Sequence, residues 1–196
     1  EQAVQDLLRP FVKLRYRLLP YNYTLAYQNS QSGMPLMRPL FFSDQNNTAL
    51  IDDARTYFWG DAFLVTPVTV PGVTSVKVSL PGGVWFDYWT DAKQAGGRMI
   101  DAPVSLKTIP VFVKAGSFIP MADDMANTSR YDSGKLQLHY YADASVKSAS
   151  GVMYDDDGKD PTALRDGRFE KLDFKAKQSG KRLNIALLRK GDFPGE

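Results

Sequence analysis

The sequence predicts a mainly β fold: an N-terminal helix followed by two β-sandwich-like domains. Three observations carry this. Apolar residues recur every three or four positions as far as about Gln31 and then stop doing so. From Leu36 the apolar spacing shifts toward two, the period of a half-buried strand. Short runs of this kind are punctuated by Pro and Gly, as expected of a sandwich.

The helical stretch runs from about Ala3 to Gln31, with Leu7, Phe11, Leu14, Leu18, Tyr21 and Leu25 on its periodic face. Pro10 and Pro20 each lack a backbone donor and are expected to kink or divide it. Ser32-Gly33 is the stop signal. Phe11, Tyr16, Tyr21, Tyr23 and Tyr27 give this segment enough aromatic area to pack on more than one side. Left uncovered, Leu7, Phe11, Leu14 and Leu18 would form an apolar stripe. That predicts either self-association or packing onto the chain's own strands.

Thr74–Leu80 alternates, with Val76, Val78 and Leu80 on one face and Ser75, Lys77 and Ser79 on the other. Pro81-Gly82-Gly83 reads as a turn, Val84–Thr90 as an aromatic strand, and Ala95-Gly96-Gly97 as a second turn. Ile109–Gly116 reads as a buried strand closed by glycine. Pro120–Gly134 is a polar break rich in Asp, Asn and Ser, where a domain boundary is expected. After it, Lys135–Tyr141 alternates, with Leu136, Leu138 and Tyr140 inward and His139 outward. Tyr154–Gly158 is an acidic turn, and Phe169–Phe174 and Leu183–Leu187 form a hairpin around Gln178–Lys181. The expected domains are 1–33, 34–120 and 121–196. The last is expected to be incomplete, because the chain stops at Phe193-Pro-Gly-Glu196 just after a strand. The start at Glu1, without Met and directly into a helical pattern, predicts a piece of a longer protein.

Bulk composition narrows the function classes. The 196 residues carry a net charge of +2 with no dense Lys/Arg cluster, which argues against a nucleic-acid partner. There is no Cys, so disulfides, thiolate metal sites and thiol nucleophiles are excluded. No apolar run is long enough for a helical membrane span. The sequence leaves the compartment open.

Six blocks, in order, are similar to segments of glycoside hydrolase family 31, the family of α-glucosidases and α-xylosidases. Leu14-Arg-Tyr-Arg-Leu-Leu-Pro-Tyr21 resembles its last barrel helix, and Met34–Leu40 the segment leaving the barrel. Tyr57–Val68 resembles the next block, and Leu80–Trp89 with Ile109–Gly116 two more. Tyr154-Asp-Asp-Asp-Gly158 resembles the acidic turn of the distal domain. The sequence departs from the family pattern at Lys159–Arg165, where members often carry a Tyr. The resemblance implies the terminal helix of a TIM barrel (1–33), a proximal β-sandwich (34–120) and most of a distal β domain (121–196). The implied partners are the upstream barrel of the same protein and, for the longer enzyme, a carbohydrate substrate. The family's nucleophile and acid/base aspartates lie earlier in the barrel and match nothing here. No catalytic, cofactor-binding or metal residue is therefore assigned, and no cofactor is expected.

The residues themselves agree. A retaining glycosidase needs two carboxyl groups roughly 5–5.5 Å apart across a sugar. Asp52-Asp53, Asp123-Asp124 and Asp155-Asp156-Asp157 are neighbours that would diverge on a strand and serve as solvated turn residues in a loop. A calcium loop built on Gly158 fails at both anchor positions, Met153 and Leu164. His139, the only histidine, has no nucleophile motif beside it, and no Gly-rich phosphate loop is present. Asn22, Asn46 and Asn127 open Asn-x-Ser/Thr triplets, a pattern common by chance. Arg38, inside an apolar run, is expected to pair with a carboxylate.

Three roles are consistent with this: a buttress for the barrel, a carbohydrate-binding sandwich, or a protein-interaction module. Exposure of Trp85, Trp89 and their neighbours discriminates between them. Read as one continuous strand, Val84–Thr90 puts both indoles on a covered face, and replacing Trp89 would cost about 3–5 kcal/mol.

Overall fold

The computed structural model describes residues 1–191. These divide into two compact units. One comprises Glu1–Met34 with Phe118–Tyr140 and the chain from Val146 onward; the other comprises Pro35–Ser117 with Tyr141–Ser145.

In the first unit, α1 (Gln2–Arg17) and α2 (Leu19–Ser32) meet at Leu18. Pro20 divides them, because it cannot donate the bond that would continue the helix, and it sits instead in the first turn of α2. Pro10 lies inside α1 and does not divide it. Gly33 ends α2 with φ +72°, its N–H bonding to the Asn29 carbonyl at 2.7 Å.

The second unit holds eight strands: β1 (Met37–Pro39), β2 (Tyr57–Trp59), β3 (Phe63–Val65), β4 (Ser75–Leu80), β5 (Val84–Asp87), β6 (Lys93–Ala95), β7 (Arg98–Pro103) and β8 (Val111–Lys114). Six form an antiparallel sheet in the order β1-β2-β3-β8-β5-β6, and β4 pairs with β7 in a separate ribbon. A short helix, α3 (Thr48–Ile51), precedes β2. The core lies between the two sheets. Phe58, Leu64, Trp85 and Phe112 come from one side and Val78, Leu80 and Ala102 from the other, with Leu40 and Leu50 closing an end. Alternation explains why β4 contributes Val78 and Leu80 while Lys77 stays exposed. Ser79 differs from the sequence expectation: it is buried and donates to Asp53.

The aromatic strand is shorter than the sequence suggests. β5 ends at Asp87, whose carboxylate accepts the backbone N–H groups of Trp89 and Thr90 and the Thr90 hydroxyl, each at 2.9 Å. An aspartate that captures backbone donors two and three residues on turns the chain. Trp89 therefore lies in a turn, and the common face with Trp85 is lost. Gly96 leaves no room for a side chain. A Cβ there would stand 2.0 Å from the Pro81 carbonyl oxygen, where the β5–β6 hairpin returns to β7.

The remaining strands complete the first unit: β9 (Phe118–Ala122), β10 (Leu136–Tyr140), β11 (Ser148–Asp155), β12 (Glu170–Ser179) and β13 (Arg182–Lys190). β9 is buried along its whole length, so the polar break begins at Asp123, not Pro120. β9 pairs with β10, and β11-β12-β13 form an antiparallel sheet whose last hairpin turns at Gly180-Lys181. Phe118, Met153, Phe174 and Ala176 form the core, with Leu136, Tyr140, Ala149 and Leu172 packed around them. Gly151 admits this packing, since a Cβ there would meet the Phe118 Cβ at 2.9 Å. Leu138, expected inward, is 38% exposed. Phe193–Glu196, where the sequence suggests an incomplete domain, lies outside the described residues.

The helices pack on these strands, α1 against β9 and α2 against β9 and β11. Leu18 and Leu25 are buried, and Leu7, Phe11 and Leu14 are half-buried. The expected stripe is thus partly covered by the chain's own strands. A different row, Val4, Leu8 and Val12, is more than half exposed and repeats every four residues along α1.

Candidate functional site

The first unit contains a cleft of about 280 Å³ between α2 and the acidic turn after β11, lined by Tyr23, Tyr27, Tyr154, Asp156, Asp160 and Leu164 among others. Helical spacing creates one wall, because Tyr23 and Tyr27 are four residues apart and share a face of α2. Thr24, between them, fixes that face to β11: its hydroxyl donates to the Pro20 carbonyl (2.8 Å) and accepts the buried Tyr154 N–H (3.0 Å). The Tyr154 ring stacks on Tyr27 at 4.1 Å with the planes parallel to within 1°, and its further ring neighbours are Phe169 at 5.6 Å and Tyr23 at 6.0 Å.

The acidic turn supplies the opposite wall. Asp156 accepts the hydroxyls of Tyr23 and Tyr154 and, at 2.8 Å, the Gly158 N–H. Burial, then the adjacent Asp156, holds both phenols above their ordinary pKa, so they remain donors. Asp157 accepts the N–H groups of Lys159 and Asp160. Asp160 accepts the Thr162 N–H and hydroxyl and pairs with Arg168. The Thr162 donors lead in holding its carboxyl below the ordinary range. Asp155 is different: it is 3% exposed. Burial pushes its pKa up to about 6, Asp156 and Glu170 add to that, and a Ser133 donor opposes it.

The three neighbouring aspartates thus take three separate sets of donors, two of them turn contacts to local backbone. Asp53 accepts the Arg55 and Thr56 N–H groups at 3.0 Å, Asp123 accepts from the Gln137 amide at 3.0 Å, and Asp124 pairs with Lys13 at 2.9 Å. His139 lies half-buried on β10 beside Gln137. Arg38 is buried and pairs with Asp61 in the β2–β3 turn, while its Nε donates to the Pro35 carbonyl at 2.8 Å. The Asn-x-Ser/Thr asparagines include Asn22, half-buried on α2, and the exposed Asn46 and Asn127. Among the described residues no group of three His, Asp or Glu side chains is placed to hold a metal ion. No described helix is long and apolar enough to cross a membrane.

The tryptophans form no open row. Trp85 is 1% exposed and donates to the Pro81 carbonyl at 2.9 Å. Trp89 is half-buried and bonds the Ile109 carbonyl at 2.7 Å. The large cost expected for replacing Trp89 therefore moves to Trp85.

Residues 33–119 match the model of the glycosyl hydrolase family 31 C-terminal domain. The chain belongs to glycosyl hydrolase family 31. The family 31 chain is 36% identical over 155 residues to an α-xylosidase of Saccharolobus solfataricus, covering 79% of this chain and 21% of that protein. It is 37% identical over 165 residues to human neutral α-glucosidase C, covering 83% of this chain and 18% of that protein. A family 31 dextranase of Flavobacterium johnsoniae superposes with a TM-score of 0.89 at 29% identity, covering 98% of this chain and 24% of that one. The chain spans about a fifth of the length of the relatives it matches. Its mainly β architecture of several antiparallel sheets matches that of the family's C-terminal domains.

The sequence pointed to the aromatic load of α2 and to the acidic turn separately. It gave no sign that Tyr23, Tyr27 and Asp156 meet, because their partners lie about 130 residues away. The stretch 159–165, where the family pattern is broken, supplies Asp160, Pro161 and Leu164 to the cleft.

Proposed function

We propose that this chain is the non-catalytic C-terminal region of a retaining α-glycosidase that acts on α-linked glucosides, and that it supports the catalytic barrel. In this reading residues 1–33 are the terminal helical segment of the barrel, 34–120 a proximal sandwich and 121–196 a distal β domain. The observation that carries it is the uncovered row Val4, Leu8 and Val12 on α1. A helix that buries one apolar face on its own strands and presents a second one outward is built to be held between two bodies. Burying each such side chain is worth about 1.5–3 kcal/mol. The barrel, within the same longer protein, is the partner of that row.

The carboxylates support the same reading. The neighbouring aspartates are taken up by turns, by tyrosine hydroxyls or by cations, and the two carboxylates that share the cleft, Asp156 and Asp160, leave the same turn and are already engaged by local donors, whereas a retaining mechanism needs two carboxyl groups flanking the sugar. TIM-barrel chemistry sits on loops at the barrel's C-terminal face. The test is hydrolysis of an aryl α-glucoside by the purified chain. The expected result is turnover no greater than buffer. Turnover that disappears on replacing any aspartate of this chain would refute the proposal.

A further inference from the structure

We propose that the cleft between α2 and the acidic turn binds a neutral sugar ring, with Tyr27 meeting its carbon–hydrogen face and Asp156 and Asp160 accepting its hydroxyls. The support is the combination of surfaces. A pyranose has an apolar face and a rim of hydroxyl donors, so it needs a fixed aromatic plane with acceptors beside it. The parallel stack on Tyr154 fixes the plane of Tyr27. Among the described residues the Tyr27 hydroxyl has no hydrogen-bond partner, which leaves it for a ligand.

The acceptors are partly used. A carboxylate offers about four lone-pair positions. Asp156 has three donors in place, from Tyr23, Tyr154 and Gly158. Asp160 has the Thr162 N–H and Arg168, and shares the single Thr162 hydroxyl donor with Asp166. Each keeps at least one position, which suits a single hydroxyl and not the several oxygens a metal ion demands. No Lys or Arg lines the cleft, so an anionic ligand finds no counter-charge. At about 280 Å³ the space falls just below the roughly 300–1,000 Å³ of drug-sized sites, room for one or two rings. The choice of α-glucosides as probes rests on the functional reading above; the capacity for a sugar ring rests on the cleft.

The test is an amide chemical-shift titration of the isotope-labelled chain with maltotriose, isomaltotriose and xylose. The expected result is saturable shifts confined to Ala26, Tyr27 and the 156–164 turn for at least one sugar, with a Kd in the millimolar range. Tyr27→Ala should weaken binding at least tenfold. Ala26→Arg changes an exposed helix position and puts a long side chain into the cleft. It should weaken binding equally with melting unchanged, which separates loss of the site from loss of the fold. Absence of shifts with all three sugars overturns the proposal, as do equal shifts in the Ala26→Arg variant. It is also overturned if Ca2+ or choline moves these resonances and the sugars do not. Failure here leaves the catalytic silence of the chain standing, because that is read from hydrolysis and not from binding.

Discussion

Replacing Trp85 with Ala should be among the most damaging single changes in the Pro35–Ser117 unit. The indole is 1% exposed and packs in the core beside Phe58, with ring centroids 6.2 Å apart. Truncating a buried Trp costs about 3–5 kcal/mol through lost transfer energy and the cavity left behind. The change also removes the bond from the indole to the Pro81 carbonyl. That oxygen keeps a second donor, the Gly97 N–H at 3.1 Å, so this adds only about 0.5–1.5 kcal/mol. The total is about 3.5–6.5 kcal/mol, a large share of what a domain possesses. Trp89→Ala is the control. It lies in a turn, is only half-buried and loses one bond to Ile109, so it should cost about 1–2 kcal/mol. Urea unfolding followed by far-ultraviolet circular dichroism gives both values. Equal costs for the two variants, or a Trp85→Ala protein that unfolds at the parent midpoint, would refute the placement of the core and the turn.

Thr24→Val keeps the shape of the side chain but leaves the buried Tyr154 N–H without its acceptor, so it should cost about 1–3 kcal/mol, read from the same unfolding curves. Asp155 has a folded-state pKa raised to about 6 against an ordinary value of 3.8, so the folded chain binds the extra proton between these pH values. Its contribution to stability should therefore fall as pH rises from about 4 to 6, with the full penalty present above 6. Asp155→Asn should flatten that part of the stability–pH profile; an unchanged slope would assign it to another group. Leu8→Lys, on the exposed row of α1, should lower any self-association seen by sedimentation velocity without lowering the melting temperature. A drop in melting instead would mean the row is already covered.

Much of this fold is legible in the sequence because local rules decide it. The Pro20 break, the Gly33 stop, the alternation of β4 and the Gly180-Lys181 hairpin each follow from backbone geometry or side-chain period. Where one local rule competes with another, the structure departs from the sequence expectation. Asp87 ended the aromatic strand because its side chain captured the backbone donors of the next turn, against the strand propensity of Tyr88 and Trp89. Ser79 is buried on the nominally polar face because Asp53 supplies its partner from outside the strand. Pro120 sits in a strand because every residue of β9 is covered. The cleft was hidden for another reason. It depends on α2 meeting β11 and the turn behind it, a pairing across about 130 residues for which one sequence carries no signal.

The support role is tested most directly in the longer protein. Aryl α-glucoside turnover and melting temperature should be measured with the whole chain in place and with residues 34–191 deleted. A supporting role predicts loss of turnover together with a lowered melting temperature or insolubility, because the barrel would lose its support while its carboxylates are untouched. A shortened protein with full turnover and unchanged melting would contradict it.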